Sequence, residues 1–111
     1  MNFGRSDSDG RFRFDNYARP EKPEGADYFD WIVFMDEPPE VLEQVDMVEY
    51  RLHETFPNPI RVQTNTEENF ALRSAGWGVF RIFITVHLKD GSEAHETYDL
   101  SFDKSWPPEL E

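Results

Sequence analysis

The stretch GWGVFRIFITVHLKDG, residues 76–91, decides the fold class. Large apolar residues occupy every second position in it: Phe80, Ile82, Ile84, Val86 and Leu88. This period of two predicts a long β-strand with one continuous apolar face, because successive side chains of a strand point to opposite sides. The Asp90-Gly91 pair that follows is typical of a hairpin turn. Residues 93–102 are therefore predicted to return as the partner strand.

The rest of the chain also has the character of strands and turns. We predict further strands at residues 11–18, 28–36, 45–53, 60–65 and 68–74, with a turn over Pro38 and Pro39 that can include one helical turn. The segment YFDWIVFMD, residues 28–36, is apolar on both faces. Seven to eight antiparallel strands without a long helix predict an all-β sandwich, with an open barrel as the alternative architecture.

Length and composition favour a single soluble domain. The chain has 111 residues, no cysteine, and no apolar stretch long enough for a signal peptide or a membrane span. Disulfides and thiolate zinc sites are excluded, which suits a reducing cytoplasm, the predicted location. We expect a flexible N-terminus over residues 1–10, one domain over residues 11–103, an acidic tail over residues 104–111, and a monomer.

The charge balance limits the kinds of partner. The net charge is −12, from 23 acidic and 11 basic residues. Such a surface repels phosphate backbones and attracts basic proteins, so we expect no direct nucleic-acid binding and a basic protein or peptide partner. The acidity can equally serve solubility alone.

Catalytic and metal motifs are weak. The chain has no G-x-S-x-G elbow, and chance carboxylate pairs carry little weight in so acidic a protein. His87 and His95 lie on the two arms of the predicted hairpin; a two-residue turn leaves them on opposite faces, and a three-residue turn is expected to place them opposite each other. Two imidazoles are too few for a zinc site by themselves, although a carboxylate could complete one; two strand histidines without a special role are the favoured interpretation. We therefore predict no enzyme, no metal and no cofactor.

Two loops offer the best candidate binding site. The segment HETF, residues 53–56, ends one predicted strand, and AGWGVF, residues 75–80, begins another. If both lie at the same end of the sandwich, aromatic rings can line a slot for a flat, uncharged amide group, with a hydroxyl at its rim and uncovered backbone amides at two glycines. The alternative is that the rings plug the open end of the core. The residues concerned are Tyr28, Thr55, Phe56, Gly76, Trp77 and Gly78.

The order and spacing of several segments resemble the YEATS domain family, an immunoglobulin-like β-sandwich. The resemblance covers residues 29–102 and rests on DWIVFM, VEYRLHETFPNPIRV, GWGVFRIFITVHLKDG and YDL. The short LHETFPNP loop and the acidic balance are more similar to the prokaryotic branch than to the eukaryotic one. Eukaryotic members read acetyl- or crotonyl-lysine on histone tails, so the resemblance implies an aromatic channel for an acylated lysine.

The resemblance also implies roles for individual residues. His53 corresponds to the histidine that orders the loop beneath the channel, and Thr55 to the residue whose hydroxyl binds the acyl-amide. Phe56 and Trp77 correspond to the two clamping aromatics, and Phe80 to a further wall.

Other positions either match the family or depart from it. Gly78 follows the tryptophan where backbone amides receive the acyl carbonyl, and Asp99 corresponds to an acid that meets a basic side chain of the peptide. Asp27 stands where the family often has another aromatic, with Tyr28 beside it, and Val79 replaces a usual acid.

The resulting hypothesis is a non-enzymatic binding module for an acylated lysine, or a similar flat amide, on a basic partner. The alternative is a protein–protein interaction module of a bacterial signalling or defence complex that does not bind acyl-lysine. Open aromatic walls favour the first function, and fully buried rings favour the second.

Overall fold

Two antiparallel β-sheets pack face to face in the computed structural model, which describes residues 10–20, 28–76 and 78–107. The strands are β1 (Phe14–Pro20), β2 (Phe29–Met35), β3 (Val45–Arg51), β4 (Ile60–Gln63), β5 (Leu72–Gly76), β6 (Arg81–Leu88) and β7 (Glu93–Asp99), with a short helix α1 (Pro39–Leu42) and a 3₁₀ turn (Thr66–Glu68). One sheet has the order β1-β2-β5 and the other β4-β3-β6-β7. The predicted immunoglobulin-like β-sandwich is confirmed, with seven strands in the described part of the chain.

The core lies between the sheets and follows the predicted alternation. In β6 the even-numbered residues are buried and the odd-numbered ones face outward or are half-buried. Complete burial of an aliphatic side chain of this size contributes about 1.5–3 kcal/mol, so the strand alone supplies a large share of the core. In one interior strand of each sheet, the best-buried side chains are Trp31, Val33 and Met35 of β2 and Ile82, Ile84 and Val86 of β6.

The segment before β5 is not the strand that was predicted from residue 68. Asn69 and Phe70 have φ angles of 57° and 54°, in the left-handed region, so the extended backbone begins only at Leu72. The buried Tyr50 hydroxyl donates a 2.7 Å hydrogen bond to the Phe70 carbonyl and holds this turn. Burial also raises the pKa of Tyr50, so the hydroxyl keeps its donor proton.

The β6–β7 hairpin has the longer of the two turns considered. Leu88 N–H donates to the Ser92 carbonyl at 2.9 Å, which leaves three residues in the turn, and Gly91 has a φ of 92°. In this register His87 is opposite Glu93, and Thr85 is opposite His95. The two histidines therefore share the outer face of the four-stranded sheet but lie diagonally; the expectation that this turn places them opposite each other was wrong by two residues of register.

The chain after β7 runs alongside β1. Ala18 N–H donates to the Lys104 carbonyl at 2.9 Å, and Trp106 is only 8% exposed. The guanidinium of Arg19 lies 4.3 Å from the Trp106 ring centroid. Residues 104–106, the first part of the predicted tail, thus contact the sandwich, whereas residues 1–9 and 108–111 are outside the described ranges. Within the part of the chain that the structure describes, no helix has the length and apolar character needed to cross a bilayer.

The strand order brings two connections to the same end of the sandwich. β3 ends and β6 begins at this end, because Arg51 is opposite Phe83 in their antiparallel register. β5 also ends here, with Gly76 opposite Phe29 at the start of β2. The loop between β3 and β4 and the connection between β5 and β6 both border the candidate site.

Candidate binding site at the end of the sandwich

The loop between β3 and β4 is tied into one shape by main-chain bonds. Leu52 N–H donates to the Pro59 carbonyl at 2.8 Å and closes the base of the loop. Inside it, Phe56 N–H donates to the His53 carbonyl at 3.0 Å and forms a tight turn. Asn58 has a φ of 48°, a left-handed conformation that asparagine tolerates better than most residues.

The Arg61 side chain folds back into this loop. Its Nε donates to the Asn58 carbonyl at 2.6 Å, and its Nη2 donates to the Pro57 carbonyl at 2.9 Å. The two bonds satisfy carbonyl groups that no strand ladder reaches. The fixed φ of the prolines removes further freedom, so the loop holds its shape without a ligand.

His53 orients the Thr55 side chain. Thr55 N–H donates to His53 Nδ1 at 3.2 Å, and Thr55 Oγ1 lies 2.9 Å from the same nitrogen. Since a backbone N–H can only donate, Nδ1 must be unprotonated and the ring proton must be on Nε2. The threonine hydroxyl therefore donates to Nδ1 as well, and its oxygen lone pairs remain available to accept a hydrogen bond.

Aromatic rings form the wall behind this hydroxyl. The centroids of Phe56 and Phe80 are 5.2 Å apart with an interplanar angle of 46°. The buried Trp31 meets both edge-on, at 6.4 Å and 6.0 Å, and the His53 ring meets Phe80 edge-on at 6.3 Å. Phe56 and Phe80 are half-buried, so the rings pack on the core with one side and face a cavity with the other.

The end of β5 makes room for the ring of Phe56. A Cβ added at Gly76 would lie 3.3 Å from Phe56 Cζ, closer than most real contacts, whereas a Cβ at Gly78 would meet nothing within 4 Å. Glycine at position 76 thus permits the close approach of the loop to β5. Gly78 is exposed beside it.

Together these residues line a cavity of about 340 Å³ that is open to solvent on one side. Its lining contains no lysine or arginine among the described residues. A volume of this order suits a small group with buried apolar walls and a few polar contacts. The lining residues are Tyr28, His53, Thr55, Phe56, Pro57, Ala75, Gly76, Gly78, Val79 and Phe80.

Seven of the nine residues singled out from the sequence line this cavity. Trp77 is outside the described residues, as is Asp27, where the family often has an aromatic. Asp99 is not in the lining: its carboxylate accepts a 2.8 Å bond from Arg81 Nε across the β6–β7 ladder. This bond holds the pKa of the Asp99 carboxyl below its usual range.

Some lining residues were missed as candidates for the site. Ala75 carries no chemical signal of its own and enters the lining only because it precedes Gly76 on β5. Val79 is 60% exposed at the rim, and its position between Gly78 and Phe80 was the available signal. Pro57 was not singled out either, although it borders the cavity.

The other two histidines are far along β6 and β7 from this end. His87 Nε2 lies 3.4 Å from Glu49 Oε1, and His87 Nδ1 lies 3.4 Å from Glu93 Oε2. His95 Nε2 lies 3.7 Å from Glu93 Oε1. Within residues 10–20, 28–76 and 78–107, no group of three or more His, Cys, Asp or Glu side chains is arranged to hold a metal ion.

Fold and site together define an immunoglobulin-like β-sandwich with an aromatic cavity at the end of its strands. Residues 29–101 match the prokaryotic YEATS domain family, and the chain belongs to that family. The family consists of binding modules rather than enzymes.

Solved YEATS domains share the fold. The structure described as the Yaf9 YEATS domain recognising an H3K122suc peptide is 26% identical, with a TM-score of 0.67, and the alignment covers 81% of this chain and 70% of that one. Another, the Yaf9 YEATS domain bound to H3K27ac, has a TM-score of 0.62 at 21% identity, which supports the fold alone.

Curated relatives are longer than this chain. A protein AF-9 homolog of Eremothecium gossypii is 38% identical over 68 residues, which are 60% of this chain and 31% of the relative. The transcription initiation factor TFIID subunit 14 of Schizosaccharomyces pombe is 39% identical over 51 residues, 46% of this chain and 20% of the relative. The chain therefore spans less than a third of either relative.

Proposed function

We propose that this domain recognises an acylated lysine, of the acetyl or crotonyl type, or a similar flat neutral amide on a basic protein partner. The observation that carries the proposal is the pairing of Thr55 with His53 at the rim of an aromatic cavity. In this pairing the Thr55 hydroxyl donates its hydrogen to His53 Nδ1, so the hydroxyl oxygen is left as an acceptor for a ligand. An acylated lysine brings the matching donor, its amide N–H.

The remaining parts of such a ligand also find matching surfaces. A flat acyl group stacks favourably on aromatic faces such as those of Phe56 and Phe80, at about 0.5–1.5 kcal/mol per ring beyond the burial of area. The acyl carbonyl needs a donor as well, because a buried unpaired amide costs about 1–3 kcal/mol. The exposed backbone beside Gly78 is the proposed donor, as it is in the family. Trp77 is proposed as the second clamping aromatic.

The charge of the site favours neutral acyl groups over acidic ones. The described lining has no cation to compensate a terminal carboxylate, and the whole chain carries a charge of −12. The Yaf9 neighbour recognises an H3K122suc peptide; for this chain we expect an acetyl or crotonyl peptide to bind more tightly than a succinyl one. The same net charge attracts the lysine-rich surroundings of the modified residue.

The test is a titration of the full chain with four forms of one lysine peptide: unmodified, acetylated, crotonylated and succinylated. Amide NMR shifts should move at Thr55, Phe56 and Gly78, and saturate at about micromolar or weaker affinity, because one side chain rarely contributes more than about 8 kcal/mol. Phe56→Ala should weaken acetyl-peptide binding. Phe83→Ala, the same substitution at a 43% exposed ring outside the cavity, should not.

Two results would contradict the proposal. One is a response that is the same for the unmodified and the acetylated peptide. The other is equal weakening by the two phenylalanine substitutions. In either case the protein–protein interaction module becomes the better explanation.

A further inference from the structure

A second cavity lies on the outer face of the three-stranded sheet. β2 turns Trp31 and Val33 into the core, so Ile32 and Phe34 face the other way. In the β1–β2 register Tyr17 is the residue opposite Ile32, so its side chain lies on the same outer face. The cavity measures about 410 Å³, and we call it the outer groove; the residues of its lining that decide its chemistry are Tyr17, Ile32, Phe34, Glu67, Glu68 and Arg73.

The floor of the outer groove is aromatic and apolar. The rings of Tyr17 and Phe34 lie 5.3 Å apart at 31°, so they form one tilted platform. Both are half-buried, whereas Ile32 beneath them is 5% exposed. A platform of this kind binds planar or cationic groups through its ring faces.

One wall of the outer groove is acidic. Glu67 and Glu68 belong to the 3₁₀ turn that precedes β5, and both side chains are exposed. Neither carboxylate has an ion-pair or hydrogen-bond partner within residues 10–20, 28–76 and 78–107. Arg73 is the one cation in the described lining, and its guanidinium lies 5.5 Å from the Trp106 ring centroid. The two carboxylates therefore still leave the groove with a net negative charge. An aromatic floor beside two carboxylates favours an organic cation.

Among protein side chains, arginine fits this combination better than lysine. Its planar guanidinium stacks on aromatic rings and can bind a carboxylate with two parallel hydrogen bonds. A second copy of this chain is a poor source for the arginine, because two chains of charge −12 repel each other. A basic segment of another protein has the complementary charge.

β5 connects the outer groove to the end cavity. Ala71 borders the groove, whereas Ala75 borders the cavity where we propose that the acylated lysine binds. Four residues of extended backbone span roughly 13 Å. An extended partner segment that follows β5 can therefore reach both places with side chains about four residues apart.

We propose that the outer groove binds an arginine side chain of the protein partner, about four residues from the acylated lysine. The spacing rests on the function proposed above, whereas the arginine site itself does not. The groove would then supply selectivity for flanking sequence that the end cavity cannot provide.

The experiment uses the full chain and Gly/Ser peptides that carry acetyl-lysine with arginine four residues before or after it. Matched peptides replace the arginine with alanine. In one of the two orders, the arginine peptide should bind about three- to tenfold more tightly, since two surface carboxylates typically contribute a few tenths to one kcal/mol each. Amide shifts should extend to Phe34 and Ala71.

The double variant Glu67→Gln and Glu68→Gln should remove this advantage. The matched control, Glu40→Gln and Glu43→Gln, makes the same charge change on or next to α1 and should retain it. N-acetyl-arginine amide alone, at millimolar concentration, should shift Phe34 and Ala71 without moving Thr55.

The proposal is overturned if the arginine and alanine peptides bind equally in both orders, or if both double variants lose the advantage alike. It is also overturned if the arginine effect appears only after residues 108–111 are removed, because the chain itself would then cover the groove. A loss of shifts at Thr55 and Phe56 with the groove response retained would instead reject the acyl-lysine function alone.

Discussion

Replacing Thr55 with valine is the sharpest test of how the end cavity recognises an amide. Valine keeps the β-branched shape of threonine and replaces only the hydroxyl with a methyl group. The backbone N–H of residue 55 still donates to His53 Nδ1 at 3.2 Å, so the turn keeps one of its two contacts with the imidazole. Because the Thr55 side chain is exposed, we expect the free energy of unfolding to change by less than about 0.5 kcal/mol.

The expected loss of affinity follows from the hydrogen bond that disappears. An amide N–H left without an acceptor costs about 1–3 kcal/mol when it is buried. The Thr55 rim is open to water, which compensates part of this cost, so the lower half of the range applies. With about 1.4 kcal/mol for each factor of ten, about 1–2 kcal/mol means that Thr55→Val should weaken acetyl-lysine binding by about 5- to 30-fold.

Isothermal calorimetry or NMR titration with the acetylated peptide measures this change. Thr64→Val, the same substitution at an exposed threonine after β4, is the matched control and should bind like the unchanged chain. Thr55→Val should respond to the unmodified peptide as the unchanged chain does. Acetyl-peptide affinity within a factor of two of the unchanged chain would refute the role assigned to the hydroxyl.

Three further substitutions test the geometry around the site. Tyr50→Phe leaves a buried carbonyl without its 2.7 Å donor and should lower the free energy of unfolding in urea by about 1–3 kcal/mol; no change would show that the bond is not stabilising. Gly76→Ala puts a Cβ 3.3 Å from the Phe56 ring and should weaken acetyl-peptide binding severalfold in calorimetry. Gly78→Ala adds a Cβ in open space and should change the packing of the wall little, so equal effects of the two substitutions would contradict the steric argument. Arg81 holds the pKa of Asp99 below its ordinary value of about 3.9, so the pair stabilises the fold above that pH and the contribution is lost as pH falls through the lowered pKa. Arg81→Gln should therefore raise the Asp99 midpoint in a carboxyl NMR titration, and unchanged midpoints would exclude the pair.

The features that were predictable from the sequence are those that depend on periodic burial. The alternation from Phe80 to Leu88 predicts β6 because each second side chain must leave water, and the fold class follows from several such segments. The aromatic cavity was predictable only in part, because physical reasoning alone left open whether Phe56 lines a binding slot or closes the open end of the core. The resemblance to the YEATS family made the binding slot the favoured interpretation.

The parts that could not be predicted depend on backbone geometry and distant contacts. Nothing in ENFALRS signals that Phe70 adopts a φ of 54°, because the buried Tyr50 hydroxyl that stabilises this conformation lies 20 residues away. The Asp-Gly pair was compatible with two turn lengths, and the register of the whole hairpin selects the longer one. Arg61 was interpreted as part of a short strand, although its side chain folds back into the preceding loop.

The bonds from Arg61 have a consequence for the kinetics of binding. Since the guanidinium holds the Pro57 and Asn58 carbonyls without a ligand, no segment of this loop must become ordered when a ligand arrives. Association is then limited by encounter and charge steering, and differences in affinity between ligands appear mainly as differences in dissociation rate. Glu54, whose side chain is exposed in the same loop, takes part in neither bond, so its substitution leaves the support of the loop in place. Because Arg61 fixes the loop through main-chain carbonyls, the exposed side chains of the loop can be substituted while its backbone conformation is retained.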